Sequence, residues 1–415
     1  MIFMDFSKSS KMSIDLMRFI DRYAGIPLCL LFSIVNSFLK LFKKPTYIKS
    51  PKKILFIEMA EMGSLVLSYS LFRKTTERYP EASLYFLTFK ETRDAVDILH
   101  FFPEENVITI ESKNILNFLF SSISAIRKLR KEKIDIVLDM ELFARFTALL
   151  SYLIGAKNRI GYHRYSNEGL YRGNFLTHKV PFNPHLHIAY NMLNLIYAVN
   201  SPLDSIPLTK FPYDAKDIVI PKVKMSSDGK DAVRSKLSAE NDEVLQAEKL
   251  ILINPNASDI IPIRRWPLEK YVELIKLLLK HDGIYVVITG IKSEKEEAAR
   301  ICQEVASSKC INFAGRTSFF ELIELYHVAD ILITNDSGPV HFSSMTDIKT
   351  FVFFGPETPK LYGPLKKDTH VFYSNFSCSP CVSAFNHRKS PCNNNECLKA
   401  ISVRSVYQEV SKFLG

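Results

Sequence analysis

From residue 52 onward, short β-rich runs alternate with helical stretches, and this alternation constrains the fold more than any other feature. Runs 54–58, 84–89, 107–110, 134–139 and 159–162 read as strands, and 65–78, 115–131 and 142–153 as helices. Such alternation implies βαβ units and a mostly parallel sheet. The rhythm breaks over 201–250, where Pro202, Pro207, Pro212 and Pro221 precede a polar stretch at 226–248, a linker candidate. It then restarts, with strands at 250–253, 284–289, 331–334 and 351–354 and helices at 268–280, 294–305, 320–328 and 340–345. Two such halves predict an α/β protein of two doubly wound domains facing a cleft, with ligands at the carboxyl ends of the strands. The expected domains are 51–215 and 216–415, preceded by a separate segment, 1–50.

Charge is spread unevenly. The chain of 415 residues carries a net +10, yet residues 1–53 hold ten of the basic residues and only three acids, Asp5, Asp15 and Asp21. A near-neutral body with a basic N-terminal segment points to an anionic membrane surface and away from nucleic acid. Residues 24–39 are uncharged, and as a helix would span about 24 Å against a hydrocarbon core of about 30 Å. Gly25 and Pro27 are expected to break the helix near its start. The segment reads as an amphipathic helix, a break, and an apolar helix that dips into or lies on the bilayer. A single span and a helix buried against the protein are the competing readings. Lys40, Lys43 and Lys44 behind it and the basic residues before it suit entry and exit on the cytoplasmic face.

Three candidate ligand loops follow strands of the second half. Asn335-Asp336-Ser337-Gly338-Pro339-Val340-His341 places a capping residue and proline at a helix start, where exposed N–H groups bind phosphate. The bare pattern equally suits a capped helix with no ligand. A second loop begins Asn254-Pro255-Asn256 and leads to Arg264-Arg265-Trp266-Pro267. Two guanidinium groups with fixed donors suit a diphosphate, or form a solvated basic turn. The third is Gly355-Pro356-Glu357-Thr358-Pro359.

In the first half, the loop Glu58-Met59-Ala60-Glu61-Met62-Gly63-Ser64 brings two carboxylates to a strand end. A partly desolvated glutamate there is a candidate general base. Asp139-Met140-Glu141, with Arg145 one turn on, is a similar candidate. The stretch 161–187, which contains His163, Arg164, Tyr171, Arg172 and His178, suits a polar, anionic or sugar-bearing acceptor, or a solvated loop. No histidine spacing suits a catalytic metal.

Cys378, Cys381, Cys392 and Cys397 form C-x₂-C-x₁₀-C-x₄-C. The spacing resembles a four-thiolate structural zinc site. Free thiols packed in a loop are the competing reading, and a reducing compartment argues against disulfides.

Taken together, these residues resemble glycosyltransferase family 9, the ADP-heptose:lipopolysaccharide heptosyltransferases. The resemblance runs from about residue 53 to the C-terminus. It rests on NDSGPVH at 335–341, FFGPETP at 353–359 with Tyr362-Gly363-Pro364, RRWP at 264–267, Ala314-Gly315-Arg316-Thr317-Ser318, and the Cys-Ser-Pro-Cys run at 378–381. It implies a GT-B fold, with the acceptor on the N-terminal Rossmann-like domain and the nucleotide sugar on the C-terminal one. It also implies inverting, metal-independent transfer. By position, Asp336, Ser337, Gly338 and His341 are expected to meet the donor's sugar and phosphates, and Asn256, Arg264, Arg265, Arg316 and Gly355 are also expected on the donor side. Gly63, Glu141, Arg145, His163 and Arg164 are expected on the acceptor side. Arg264 stands where the family has a lysine that supports the diphosphate.

One departure matters. The family's first loop usually ends Gly-Asp, and that aspartate is the expected base; here the pair is Gly63-Ser64. A serine hydroxyl is far too weak a base at neutral pH. Glu61 is the expected replacement, with Glu58 the second candidate. The function expected is a membrane-associated transferase that moves heptose or a related sugar from a nucleotide-diphosphate donor to a lipid-linked glycan. Its expected place is the cytoplasmic face of an inner membrane. The alternative is a catalytically silent protein that binds sugar nucleotide or glycolipid.

Overall fold

A computed structural model describes residues 14–42, 47–142, 144–164, 170–257, 261–383, 385–386 and 388–414. The chain divides into two compact units, one up to Val219 and one from Ile220 onward.

The first unit carries a six-stranded parallel sheet, with β1 Lys53–Ile57, β2 Ser83–Phe89, β3 Val107–Ile110, β4 Ile136–Asp139, β5 Asn158–Tyr162 and β6 His178–Val180 in the order β3-β2-β1-β4-β5-β6. Its helices are α1 Ile14–Tyr23, α2 Gly25–Phe42, α3 Met62–Leu67, α4 Tyr69–Arg78, α5 Arg93–Asp97, α6 Ile115–Glu132, α7 Arg145–Leu153 and α8 Ile188–Ala198. The second unit repeats the plan. Strands β7 Lys249–Asn254, β8 Ile284–Ile288, β9 Cys310–Asn312, β10 Ile331–Asn335, β11 Lys349–Phe354 and β12 His370–Tyr373 lie in the order β12-β11-β10-β7-β8-β9, all parallel. Its helices are α9 Ser227–Glu240, α10 Leu268–Leu278, α11 Lys295–Val305, α12 Phe319–Val328, α13 Gly338–Ser343, α14 Pro359–Tyr362, α15 Glu396–Lys399 and α16 Val403–Ser411.

Both sheets are covered by helices on both faces, so their strands read as continuous apolar runs such as KILFI and KTFVFF. One face of the first sheet is an aromatic cluster, in which Phe72 meets Phe56 and Phe102 edge-on at 5.1 and 5.2 Å. The other is aliphatic, with Leu55, Ile57 and Val137 under Ala125 and Leu129 of α6 and Leu150 and Ile154 from the α7 side.

The strand order fixes where ligands bind. In each sheet the chain leaves two neighbouring strands in opposite directions, β1 and β4 in the first unit, β7 and β10 in the second. The loops diverge there and open a crevice at the carboxyl ends. Register makes the ends level: Ile57 pairs with Asp139, and Thr334 with Asn254.

The expected linker is only partly irregular. Residues 227–240 form α9, capped by the Ser226 hydroxyl accepting from Gly229 N–H at 3.0 Å, and bury Val233 and Leu237. Two buried apolar positions in fourteen make too faint a stripe to stand out against the charges around them. Strands β6, β9 and β12 escape a sequence reading because three or four residues show no period. Helix α8 has buried residues on nearly every side and so shows no amphipathic stripe.

At the N-terminus, Gly25 and Pro27 interrupt the helix far less than expected. Ala24 N–H donates to Ile20 O at 2.9 Å and Leu28 N–H to Ala24 O at 3.2 Å, so hydrogen bonding runs through the junction. Pro27 sits in the first turn of α2, where only one bond is lost. Asp15–Phe42 is therefore long and apolar enough to cross a membrane, by length and composition. Lys43 and Lys44 lie outside the described residues.

Helix α2 holds the first unit with its small and polar side. Gly25, Cys29, Ser33 and Asn36 are buried. Gly25 permits close approach, because a Cβ there would lie 3.0 Å from Arg145 Cβ. Asn174 N–H donates to Ser33 Oγ at 2.7 Å, and Asn36 Nδ2 donates to Asn174 O at 3.2 Å. Leu30, Leu31, Ile34, Phe38, Leu41 and Phe42 point outward and are exposed.

Candidate functional site

In the second unit, the carboxyl ends of β7, β10 and β11 assemble one buried polar cluster. Asn335, fully buried, organises it: its Oδ1 accepts from Trp266 N–H at 2.8 Å and its Nδ2 donates to Pro255 O at 2.6 Å. Trp266 is fully buried and stacks on Phe353 at 4.5 Å. That anchor sets the Arg264-Arg265 turn. The two guanidinium groups then part: Arg265 donates to Ala257 O at 3.2 and 2.8 Å, bracing the β7 loop, whereas Arg264 Nη1 lies 3.5 Å from Asp336 Oδ2. Arg264 Nε and Asn256 Nδ2 are buried donors without a hydrogen-bond partner among the described residues. His341, Asp336 and Glu357 are buried beside this crevice or in its loops. Residues 258–260, the end of the second candidate loop, lie outside the described residues.

Three expectations come out differently in detail. Ser337 stands at the N-cap of α13, but its hydroxyl donates to Asn335 O at 3.3 Å and does not cap the helix. Arg316 extends to Glu240 of α9, with which it pairs at 2.6 Å. Gly355 is a packing requirement: a Cβ there would meet Leu398 Cγ at 2.8 Å and Cys397 Sγ at 2.9 Å.

The expected structural zinc site is not formed. Among the described residues no group of three or more His, Cys, Asp or Glu side chains could hold a metal ion, and Cys378, Cys381, Cys392 and Cys397 are free thiols. Three of them make local contacts. Cys397 packs into the core from α15, where burial pushes its thiol up to about 11. Cys392 donates to Asn394 O at 3.3 Å, Ser390 Oγ donates to Cys381 Sγ at 3.2 Å, and Cys378 is exposed. The segment braces the crevice instead. Cys381 and Val382 N–H donate to Pro356 O at 2.9 and 3.1 Å, and Asn395 Nδ2 donates to Ile263 O and Arg265 O, both at 2.9 Å.

In the first unit, the β1 and β4 ends bring carboxylates together. Glu58 is buried at the end of β1, and Glu61 stands half-buried at the N-cap of α3 without capping it. Gly63 and Ser64 lie within that helix, and Ser64 Oγ donates to Glu61 O at 2.6 Å, so the hydroxyl fastens the loop. Glu141 Oε1 accepts from Met59 N–H at 2.8 Å, which holds the β4 carboxylate over the β1 loop. Burial, and then the charge of Glu61, raise the Glu141 carboxyl from 4.5 to about 7.

Proton uptake at Glu141 has a signed consequence for stability. The folded protein keeps a proton on Glu141 that the unfolded chain releases above pH 4.5, so stability falls as pH rises from there through about 7. Glu141→Gln keeps an acceptor for Met59 N–H and removes the titration. We expect it to stabilise the protein by about 3 kcal/mol at pH 8, since each tenfold change in proton affinity is worth about 1.4 kcal/mol, and to change little at pH 4. Chemical denaturation at the two pH values measures this.

The other acceptor-side residues divide. Arg145 is buried and committed: it donates to Tyr171 O at 2.9 Å and pairs with Asp21 of α1 at 3.1 Å. Arg172 is fully buried and paired with Asp139, and also donates to Ala144 O, Tyr162 O and Thr147 Oγ1. Burial, then Lys179, lower the His163 pKa, and the Arg164 guanidinium lies over the Tyr171 ring at 5.4 Å.

Residues 123–390 match the family model for glycosyltransferase family 9 (heptosyltransferase). The chain belongs to this family. The match includes the RRWP turn, the β10 and β11 loops and Cys378–Cys381, and ends short of the 58–64 loop and α1–α2. Among curated relatives, a lipooligosaccharide heptosyltransferase 2 of Campylobacter jejuni is 28% identical over 43% of this chain and 55% of its own length. The chain thus spans about half the length of the first curated relatives it matches. A lipopolysaccharide heptosyltransferase 2 of Salmonella typhimurium is 25% identical over 77% of this chain and 87% of its own. In fold, the chain resembles the Escherichia coli ADP-heptose lipopolysaccharide heptosyltransferase II, with TM-score 0.67, 20% identity, and 87% and 98% of the two chains covered. A Veillonella parvula glycosyl transferase of family 9 gives TM-score 0.66 at 18% identity, over 88% and 97%. The fold is GT-B.

Within this family 9 chain, two residues matter more than their sequence context suggests. Asn335 looks like the end of a strand, yet its buried amide ties the β7 loop to the RRWP turn. Glu357 looks like one member of a rigid loop, yet it is 2% exposed, a burial rare for a carboxylate. A carboxylate between two prolines is the available signal.

Proposed function

We propose that this chain is a membrane-associated inverting glycosyltransferase. Its second unit holds a nucleotide-diphosphate sugar, with heptose or a related sugar as the donor group, and its first unit holds a lipid-linked glycan such as a lipopolysaccharide core. The observation that carries the reading is the Arg264–Asp336 pair, its arginine partly buried and its aspartate buried, with two donors beside it that find no partner among the described residues, Arg264 Nε and Asn256 Nδ2. Each such donor costs about 1–3 kcal/mol unless paired, and diphosphate oxygens supply acceptors of the right charge. Arg264 keeps its positive charge at any working pH and steadies the leaving group.

The chemistry follows from the carboxylates of the first unit. The acceptor hydroxyl gives its proton to Glu61 as its oxygen attacks the anomeric carbon of the donor. The carbon–oxygen bond to the diphosphate breaks on the opposite side, the nucleoside diphosphate leaves with the electron pair, and the configuration inverts. Glu141, with its carboxyl near 7, sits beside this base and tunes it. Ser64, tied to Glu61 O, takes no proton. The reaction needs no metal, and the exposed apolar face of α2 keeps the enzyme at the cytoplasmic face of the membrane where a lipid acceptor lies.

The test is a donor panel. Protein in detergent is incubated with nucleotide sugars and a lipid extract containing the acceptor, and nucleoside diphosphate release is measured. Lipid-dependent release from one donor is expected. Saturable donor binding without release from any donor would instead support the silent binding protein that the Ser64 substitution suggests. Arg264→Ala should weaken donor binding at least tenfold, the loss of one charge-assisted contact, measured by calorimetry.

A further inference from the structure

Helix α6 carries an apolar surface that the transfer reaction does not use. Its inner side packs on the sheet through Ala125 and Leu129. On its outer side Leu116, Leu119, Phe120 and Ile123 are 65, 49, 71 and 44% exposed. Positions 116, 120, 123, 127 and 131 recur at helical spacing and form one stripe. The stripe is apolar in its first half and basic in its second, where Arg127 and Lys131 follow; with Phe120, Ile123, Ser124 and Lys128 they line one shallow hollow. Lys128 also donates to Glu105 O at 3.0 Å, while Arg127 and Lys131 make no ion pair among the described residues. An apolar patch of this kind on a soluble surface marks an interaction site.

The topology says what covers it. Helices α6 and α2 flank α7 on the same side of the first sheet. Phe118 of α6 meets Phe146 of α7 at 4.8 Å, and Phe32 of α2 meets Tyr152 of α7 at 5.5 Å. Gly25 lies against Arg145 at the start of α7 and Phe32 against Tyr152 near its end, so α2 runs parallel to α7. Helix α6 does too, because both α6 and α7 return from the carboxyl edge of the parallel sheet to its amino edge. The apolar beginning of α6 therefore lies at the carboxyl edge, with the 58–64 and 139–141 loops. Both α2 and α6 begin apolar and end basic, α2 with Lys40. We propose that the outer face of α6 is a second membrane-contacting surface that binds an anionic bilayer beside α2, with Phe120 and Leu116 below the headgroups and Arg127 and Lys131 among the lipid phosphates. Phe120 to Arg127 rises about 10 Å along the helix, enough to cross a headgroup layer of about 5–8 Å. This inference rests on the membrane association proposed above. It makes α6 the element that turns the acceptor loops toward the lipid.

The sole tryptophan, Trp266, is fully buried in the second unit and gives a constant fluorescence background. Full-length Phe120→Trp would be mixed with vesicles of phosphatidylcholine and phosphatidylglycerol bearing brominated acyl chains. The expected result is a blue shift and at least twofold quenching of the added tryptophan, and none for Leu245→Trp in the second unit. Combining Phe120→Trp with Arg127→Ser and Lys131→Ser should at least halve the quenching, at about fivefold in affinity per charge. If the protein fails to float with vesicles, the membrane reading itself falls. If it floats and the introduced indole stays unquenched, this inference alone is overturned. A concentration-dependent blue shift without vesicles would assign the face to a second copy and overturn it as well.

Discussion

Glu61→Gln lowers kcat by about 10²–10⁴-fold, the span expected when a general base is removed, and leaves donor affinity little changed. Four groups of the first unit could be asked to take the acceptor's proton, of which Glu58 is 2% exposed behind the end of β1 and is the least accessible to a substrate hydroxyl. Ser64 is excluded by its chemistry and by its hydrogen bond to Glu61 O. Glu141 has one oxygen occupied by Met59 N–H and holds a proton up to about pH 7. Glu61 is half-buried on the same loop, and its side chain does not cap α3. The pH profile separates the two carboxylates. If Glu61 is the base and Glu141 tunes it, Glu141→Gln remains active and loses only the pH dependence that Glu141 itself contributes near pH 7. If Glu141 were the base, Glu141→Gln would be the inactive variant. Glu61→Gln would then keep its rate, with the limb lowered because a repelling charge has gone.

Arg172→Met destabilises the first unit by about 3–5 kcal/mol, because it strips the Asp139 carboxyl of its charged partner where neither side chain touches solvent and burial already raises the pKa of that carboxyl. At about 2–4 °C per kcal/mol for a unit of this size, its melting transition drops by about 10 °C. Arg172 joins the ends of β4 and β5 to the start of α7 through Asp139, Tyr162 O, Ala144 O and Thr147. Asp139→Asn in the same chain should recover part of the loss, which calorimetry of the single and double variants measures. A loss below about 1 kcal/mol would mean that the pair carries little of the local stability.

The sheets are legible in the sequence because parallel strands buried on both faces are dense in β-branched and aromatic residues, and because turn residues follow them directly. The helix over 227–240 is not, since its buried side is two residues wide. The donor loops can be read as strand-end motifs, but not the division of labour between Arg264 and Arg265. That division depends on where the Trp266 ring lodges, a tertiary fact. Spacing alone makes the four cysteines look like zinc ligands. Spacing does not report that Cys397 faces the core from α15 while Cys378 faces solvent. Glu141 reads as an acceptor contact, and its elevated carboxyl emerges only when the fold sets it beside Glu61. The composition of α2 announces an apolar helix. Its orientation, small side inward and large apolar side outward, follows from the contacts with Asn174 and Arg145.

The most direct test is the mass and anomeric configuration of the lipid acceptor after incubation with the donor identified by nucleoside diphosphate release. With wild-type protein the lipid should gain one sugar residue, linked with inversion, and with Glu61→Gln it should not. Donor bound or hydrolysed while the lipid mass stays unchanged would contradict a glycosyl transfer to lipid.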